Sequence, residues 1–134
     1  MGSPVTPHLN TIRARVKRLT DYHATRIGAQ QGCRMHFTCK VLDRLPFPHH
    51  RSDGVATSIF VRGHGLIELR RGFFEERWET PNWQDDLVVH EMMHLAVDWH
   101  EKHGPAYKKA MVQYGYHPVA IGVYRPDRRI LALE

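Results

Sequence analysis

Cysteine is scarce in this 134-residue chain. Two thiols, Cys33 and Cys39, cannot form the set of bridges that staples a small secreted domain. They stand in an alternating stretch, where six residues along a strand would separate the sulfurs by about 20 Å, too far for one bridge. Reduced thiols make a cytoplasmic setting the default expectation. Long apolar runs are missing too. No stretch approaches the ~20 residues of a membrane-crossing helix, and no charged start followed by an apolar core marks a secretory leader. A membrane is therefore not an expected partner. Internal repeats and low-complexity segments are also absent, which argues against solenoid and fibrous architectures.

What is present suits one globular domain spanning residues 1–134, with residues 1–8 as a flexible arm. Lys plus Arg exceed Asp plus Glu by 19 − 14 = 5. Such an excess permits contact with nucleic acid, although a solvated surface is its usual cause. In the first helix expected, Leu9 to Ala29, Ile12, Val16, Leu19, His23 and Ile27 share a face. His23 reads as a satisfied, partly buried histidine. Arg13, Arg15, Lys17 and Arg18 are spread around the wheel and read as a solvated helix surface. Gln31-Gly32 closes the helix. From Cys33 to Leu42 the alternation of Cys33, Met35, Phe37, Cys39 and Val41 with polar residues predicts a half-buried strand. Arg44 to Gly54 is loop, and its His49-His50 pair is expected in solvent.

Val55 to Arg62 and Leu66 to Arg70 are expected as a β-hairpin around Gly63-His64-Gly65. Arg71 to Glu79 connects onward, with Phe73, Phe74 and Trp78 packing beneath it. Thr80-Pro81 reads as a hydroxyl N-cap and first-turn proline, with Asp85 and Asp86 suited to the helix dipole. Gly104-Pro105 opens a last helix that Gly115 ends, with Ala106, Tyr107, Ala110, Met111 and Tyr114 on its buried face. Val119 to Tyr124 and Arg129 to Leu133 read as short strands around a turn. The fold class expected is α+β.

The chemistry concentrates in His90-Glu91-Met92-Met93-His94, an H-E-x-x-H stretch. On an α-helix the two histidines lie about 40° apart around the axis and about 6 Å along it. Both imidazoles can then reach one tetrahedral Zn²⁺, and Glu91 sits on the flank of that face, able to take a proton from water activated there. With His90 at 0°, Leu95, Val88, Trp99, Met92, Ala96 and Val89 fall between about 140° and 260° and face the core. The histidines lie off that stripe. Asp98 shares their side, near the expected helix end at Asp98 to His100. There it is a candidate hydrogen-bond partner for a ligand imidazole.

A catalytic zinc usually takes a third protein ligand. His100 has the spacing used by extended zincins and by a ribosomal-RNA maturation nuclease family. Val97, however, favours continued helix, which would turn His100 toward the core. His103 is better placed, outside the helix and just before Gly104-Pro105. His117 is a remoter alternative. Tyr107, Tyr116 and His117 are the nearby candidates for an oxyanion donor.

His90-Glu91-Met92-Met93-His94 followed by His103-Gly104-Pro105-Ala106-Tyr107, with Gly65-Leu66-Ile67-Glu68-Leu69 upstream, resembles the core of the SprT-like zinc metallopeptidases. With no Cys-rich zinc ribbon, the resemblance is to a compact, Spartan-type protease core. It implies a zincin-like fold: an N-terminal helix, a small antiparallel-containing sheet, the H-E-x-x-H helix and a following C-terminal helix. It also implies zinc on His90, His94 and His103, Glu91 as the catalytic base, and a protein or peptide substrate, in this family one bound or crosslinked to DNA. Two other readings stay open: a metal-dependent nuclease using His90, His94 and His100, and a non-catalytic nucleic-acid- or protein-binding domain with a structural zinc.

Overall fold

The structure is a computed structural model that describes residues 6–97, 102–123 and 130–133. It is a mixed α+β fold. The elements run α1 (Leu9–Gln31), β1 (His36–Leu42), β2 (Gly54–Ser58), β3 (His64–Arg70), α2 (Arg71–Glu76), α3 (Pro81–Ala96) and α4 (Pro105–Gln113), then a 3₁₀ turn at Leu131–Leu133. The three strands form one sheet in the order β1-β3-β2. β2 and β3 pair antiparallel, Ser58 opposite Gly65, as the hairpin reading required. β1 joins β3 in parallel, His36 opposite His64. No helix among the described residues is long and apolar enough to cross a membrane.

α1 buries the face its period marked, Ile12, Val16, Leu19, His23 and Ile27. It runs two residues past the expected Ala29 and stops at Gly32, whose φ of 67° is the left-handed C-cap conformation glycine adopts without strain. The arm expected over residues 1–8 lies partly outside the described residues, and Pro7 within it is buried. The alternation from Cys33 to Val41 holds, although the ladder starts only at His36. Before that point the Cys33 N–H is held by Gly28 O, 3.0 Å away, in the helix cap. Both cysteines are free thiols. Arg15 is not merely a solvated cation: its guanidinium lies 3.4 Å from the Trp78 ring centroid and bonds Gln84 Oε1 at 3.1 Å.

The hairpin differs in detail. β2 ends at Ser58, four residues short of Arg62. The reversal occupies 59–63, and His64 and Gly65 already belong to β3. The segment from Arg71 is a short helix that buries Phe73 and Phe74. Thr80 does not cap α3; its hydroxyl bonds Arg77 O at 3.1 Å instead.

α3 is the central helix, packed on the sheet through β2 and β3 and on α1. The expected core arc is buried as far as it is described, but so are Leu87, Glu91 and Met93. A helix with neighbours on several sides has no wide solvent face. Asp85 and Asp86 are buried and serve tertiary contacts rather than the helix dipole alone. Asp85 Oδ1 lies 2.6 Å from His23 Nε2, and Asp86 Oδ2 accepts the Gly122 N–H at 2.7 Å. α3 ends at Ala96, and Val97 is extended, not helical as expected. Gly63 N–H takes Leu95 O at 2.7 Å and Arg62 Nε takes Ala96 O at 3.0 Å, which supplies the partners that terminal carbonyls lack. Trp99, Asp98 and His100 lie outside the described residues.

α4 starts at Pro105 as expected and buries Tyr107, Ala110 and Met111; Ala106, placed on that face from sequence, is exposed. The two C-terminal strands do not form in the described residues. His117 Nδ1 accepts the N–H groups of Val119 and Ala120, and Gly122 N–H goes to Asp86, so these donors are turned away from any ladder. Leu131–Leu133 is a 3₁₀ turn, and the turn expected at Arg125 to Arg128 lies outside the described residues.

Candidate metal centre

One helical turn of α3 sets His90 beside His94, edge to face with ring centroids 5.0 Å apart. α4 is entered through Lys102, His103 and the Gly104 N-cap. Lys102 has a φ of 49°. His103 lies against α3, and its Nε2 lies 3.0 Å from His94 Nε2 and 3.1 Å from His90 Nε2. The three form a cluster whose ligand atoms lie within 4.8 Å of one another. Two ordinary two-centre hydrogen bonds cannot satisfy it. A neutral ring nitrogen carries either a proton or a lone pair, so His103 Nε2 cannot donate to one neighbour while accepting from the other. Nitrogens at 2.0–2.1 Å on a tetrahedral zinc stand about 3.3–3.4 Å apart, close to these separations. The donor set therefore fits a metal ion.

The electrostatics agree. Burial first, then the charge of His103, pushes His90 down to about 4. Burial, then His90 and His103, pushes His94 down to about 3. Both rings are neutral at neutral pH, the form a ligand must have. Glu91 is almost fully buried, and burial pushes its carboxyl up to about 8. Its Oε2 has no hydrogen-bond partner among the described residues. A cation at the triad would favour the carboxylate form again.

Two residues shape this floor. Gly54, read from sequence only as the end of a loop, passes close to the acid: a Cβ there would stand 3.1 Å from both Cγ and Oε2 of Glu91. Tyr107 is fully buried beneath the triad, its ring stacked on His94 at 4.4 Å between centroids and 20° between planes. Its hydroxyl donates to His90 O at 2.9 Å. Burial, with Glu91 nearby, holds that hydroxyl far above its usual range, so it stays protonated. Tyr107 is thus committed to the helix backbone and is not free to act as an oxyanion donor. Tyr116 donates to Asp85 Oδ2 at 2.5 Å and His117 Nδ1 accepts N–H groups of its own turn; neither residue is among those lining the cleft over the triad.

A cleft of about 630 Å³ opens over the triad, walled by β2 and flanked by His49, Phe60 and Lys102. Of the His49-His50 pair expected in solvent, His50 is half-buried and stacked on Phe47, while His49 is exposed, yet the fold brings it to this cleft. Nothing in its sequence neighbourhood marks that. A second groove of about 600 Å³, between α1 and β1, contains none of these residues. His100 and Asp98 lie outside the described residues. No protein-family model, curated protein or solved structure matches this chain.

Proposed function

We propose that this chain is a zinc metallopeptidase with a zincin-like, SprT-like core. The observation that carries the reading is the unpartnered, buried Glu91 Oε2 beside three converging imidazole nitrogens, on the floor of an open cleft. His90, His94 and His103 would hold the metal through Nε2. Zinc, when bound, supplies Lewis-acid activation of water and of the scissile carbonyl. Glu91 takes the proton of the attacking water and passes it to the leaving nitrogen. Its apolar pocket favours the protonated acid, which suits the second step, while a cation at the triad favours the carboxylate needed for the first. Among the described residues β2 is paired only with β3, so its outer backbone groups are open to an extended peptide. His49 and Lys102 carry the donors that can face the developing oxyanion.

The nuclease alternative requires His100, and a structural zinc requires a fourth protein ligand; the described cluster has three histidines. A DNA-bound or DNA-crosslinked protein as substrate rests on the family resemblance and the net charge of +5. The test is cleavage of a basic DNA-binding protein by zinc-loaded protein, followed on gels with and without DNA across a salt series. Glu91→Gln is expected to keep fold and zinc and to lose about 10²–10⁴-fold in rate. DNA stimulation is expected to fade as salt rises. Identical behaviour of wild type and Glu91→Gln rejects the peptidase; DNA-independent cleavage removes only the DNA-bound substrate.

A further inference from the structure

At the rim of the cleft the chain carries two costs that its own fold does not repay. Ile59, Phe60 and Val61 are consecutive, and these residues are 59%, 88% and 54% exposed. Phe60 also holds a φ of 53°, a left-handed conformation in which Cβ crowds the backbone and glycine or asparagine is the relaxed choice. A glycine or an asparagine would make this turn more cheaply on both counts. Strain and apolar exposure at one residue, with little intramolecular contact in return, point to a contact with another molecule.

The turn is also firmly placed. Val61 N–H donates to Ile59 O at 2.6 Å and His64 N–H to Val61 O at 3.0 Å. Behind them the bonds from Gly63 and Arg62 to Leu95 and Ala96 fasten its base to the end of α3. β2 and α3 run in the same direction: Gly54 lies against Glu91, whereas Gly65, opposite Ser58, lies against Leu95. Phe60 therefore stands beyond the His94 end of the cleft that it helps to line. Glu91 is the only carboxylate among the described lining residues and is buried, so no exposed acid there recruits a basic side chain.

We infer that Phe60, flanked by Ile59 and Val61, forms an apolar subsite that selects a peptide segment bearing an aliphatic or aromatic side chain to one side of the bond to be cut. The inference rests on the peptidase reading and adds the substrate preference. Side chains of an extended peptide alternate in direction at about 3.3 Å per residue, so a single substrate position meets the Phe60 ring.

The probes are fluorescein-labelled peptides of about ten residues, with a Ser/Gly/Thr background and one Leu moved through every position. Cleavage sites are mapped by mass spectrometry on zinc-loaded protein, and binding is followed by anisotropy on zinc-loaded Glu91→Gln. Leu at one fixed position is expected to be favoured about tenfold over Ser. Phe60→Ser loses that preference, and Phe60→Leu keeps most of it. Phe60→Gly loses it while unfolding at the same or higher denaturant concentration, because glycine relaxes the turn; this separates recognition from folding. A flat wild-type profile, or one that Phe60→Ser leaves unchanged, overturns the subsite. Phe60-dependent binding without any cleavage refutes the peptidase and leaves the apolar subsite standing.

Discussion

Replacing Tyr107 separates what the ring does from what its hydroxyl does. Tyr107→Phe removes one neutral hydrogen bond, that to His90 O. The carbonyl has two lone pairs and keeps its helical partner within α3, so the expected cost is about 1 kcal/mol or less. Tyr107→Ala instead empties a fully buried aromatic site, for which about 3–5 kcal/mol is expected. That is a large part of the 5–15 kcal/mol typical of a whole domain. The ring also backs the three clustered histidines: it stacks on His94 and lies 5.6 and 5.2 Å from the rings of His90 and His103. Tyr107→Ala should therefore weaken zinc about 10–100-fold, and Tyr107→Phe by no more than a few-fold. Urea unfolding in the presence of a chelator reads packing alone. Chelator competition reads zinc affinity, and zinc at 100 times its Kd should restore about 2.7 kcal/mol to any variant that still binds it. Zinc lost as fully by Tyr107→Phe as by Tyr107→Ala would mean that the hydroxyl belongs to the site, and the assignment of Tyr107 to the helix backbone would fall.

His103→Ala should lower zinc affinity at least 100-fold, yet change metal-free stability by under about 0.5 kcal/mol, because the side chain is exposed; undiminished affinity in competition titrations would exclude it as a ligand. Burial pushes the Cys39 thiol from 9.0 to about 12, so near pH 8 its thiolate should be about 1,000-fold rarer than in the unfolded chain. Iodoacetamide should then label it far more slowly than after denaturation, and equal rates would refute its burial. Because the folded pKa is the higher one, this group's contribution to stability is present below pH 9.0 and is lost as pH climbs toward 12. Asp85→Ala leaves His23 Nε2 and the Tyr116 hydroxyl without this acceptor; a loss of about 3 kcal/mol or more is expected in urea unfolding, with zinc affinity unchanged. Coupled loss of both would show that this network and the metal centre are one unit.

The sequence alone determined what depends on neighbours within a turn or two. Ile12, Val16, Leu19, His23 and Ile27 recur at helical spacing, and that phase alone selects the buried face of α1. Cys33 to Val41 alternate with period two, which marks the sheet's inner face before any partner strand is known. The adjacency of His90 and His94 one turn apart follows from helix geometry, and the break before Gly104-Pro105 made His103 the better-placed third histidine. Tertiary structure decided the contacts that link distant parts of the chain. Nothing local makes β1 lie parallel to β3, or turns Asp85 from a helix-end charge into the partner of His23, 62 positions away. Val97 favours helix by its neighbours, yet α3 stops at Ala96, where Arg62 and Gly63 take its last carbonyls. Val119 to Tyr124 reads as a strand, but the N–H groups of Val119, Ala120 and Gly122 are drawn to His117 and Asp86. The cleft is tertiary as well: Gly54, His49 and Phe60 reach Glu91 and the histidines only because β2 and its flanking loops lie along α3. A residue's own periodicity carries no information about which distant backbone will pack against it, and that packing is what turns an H-E-x-x-H helix into a site with a floor, a wall and a rim.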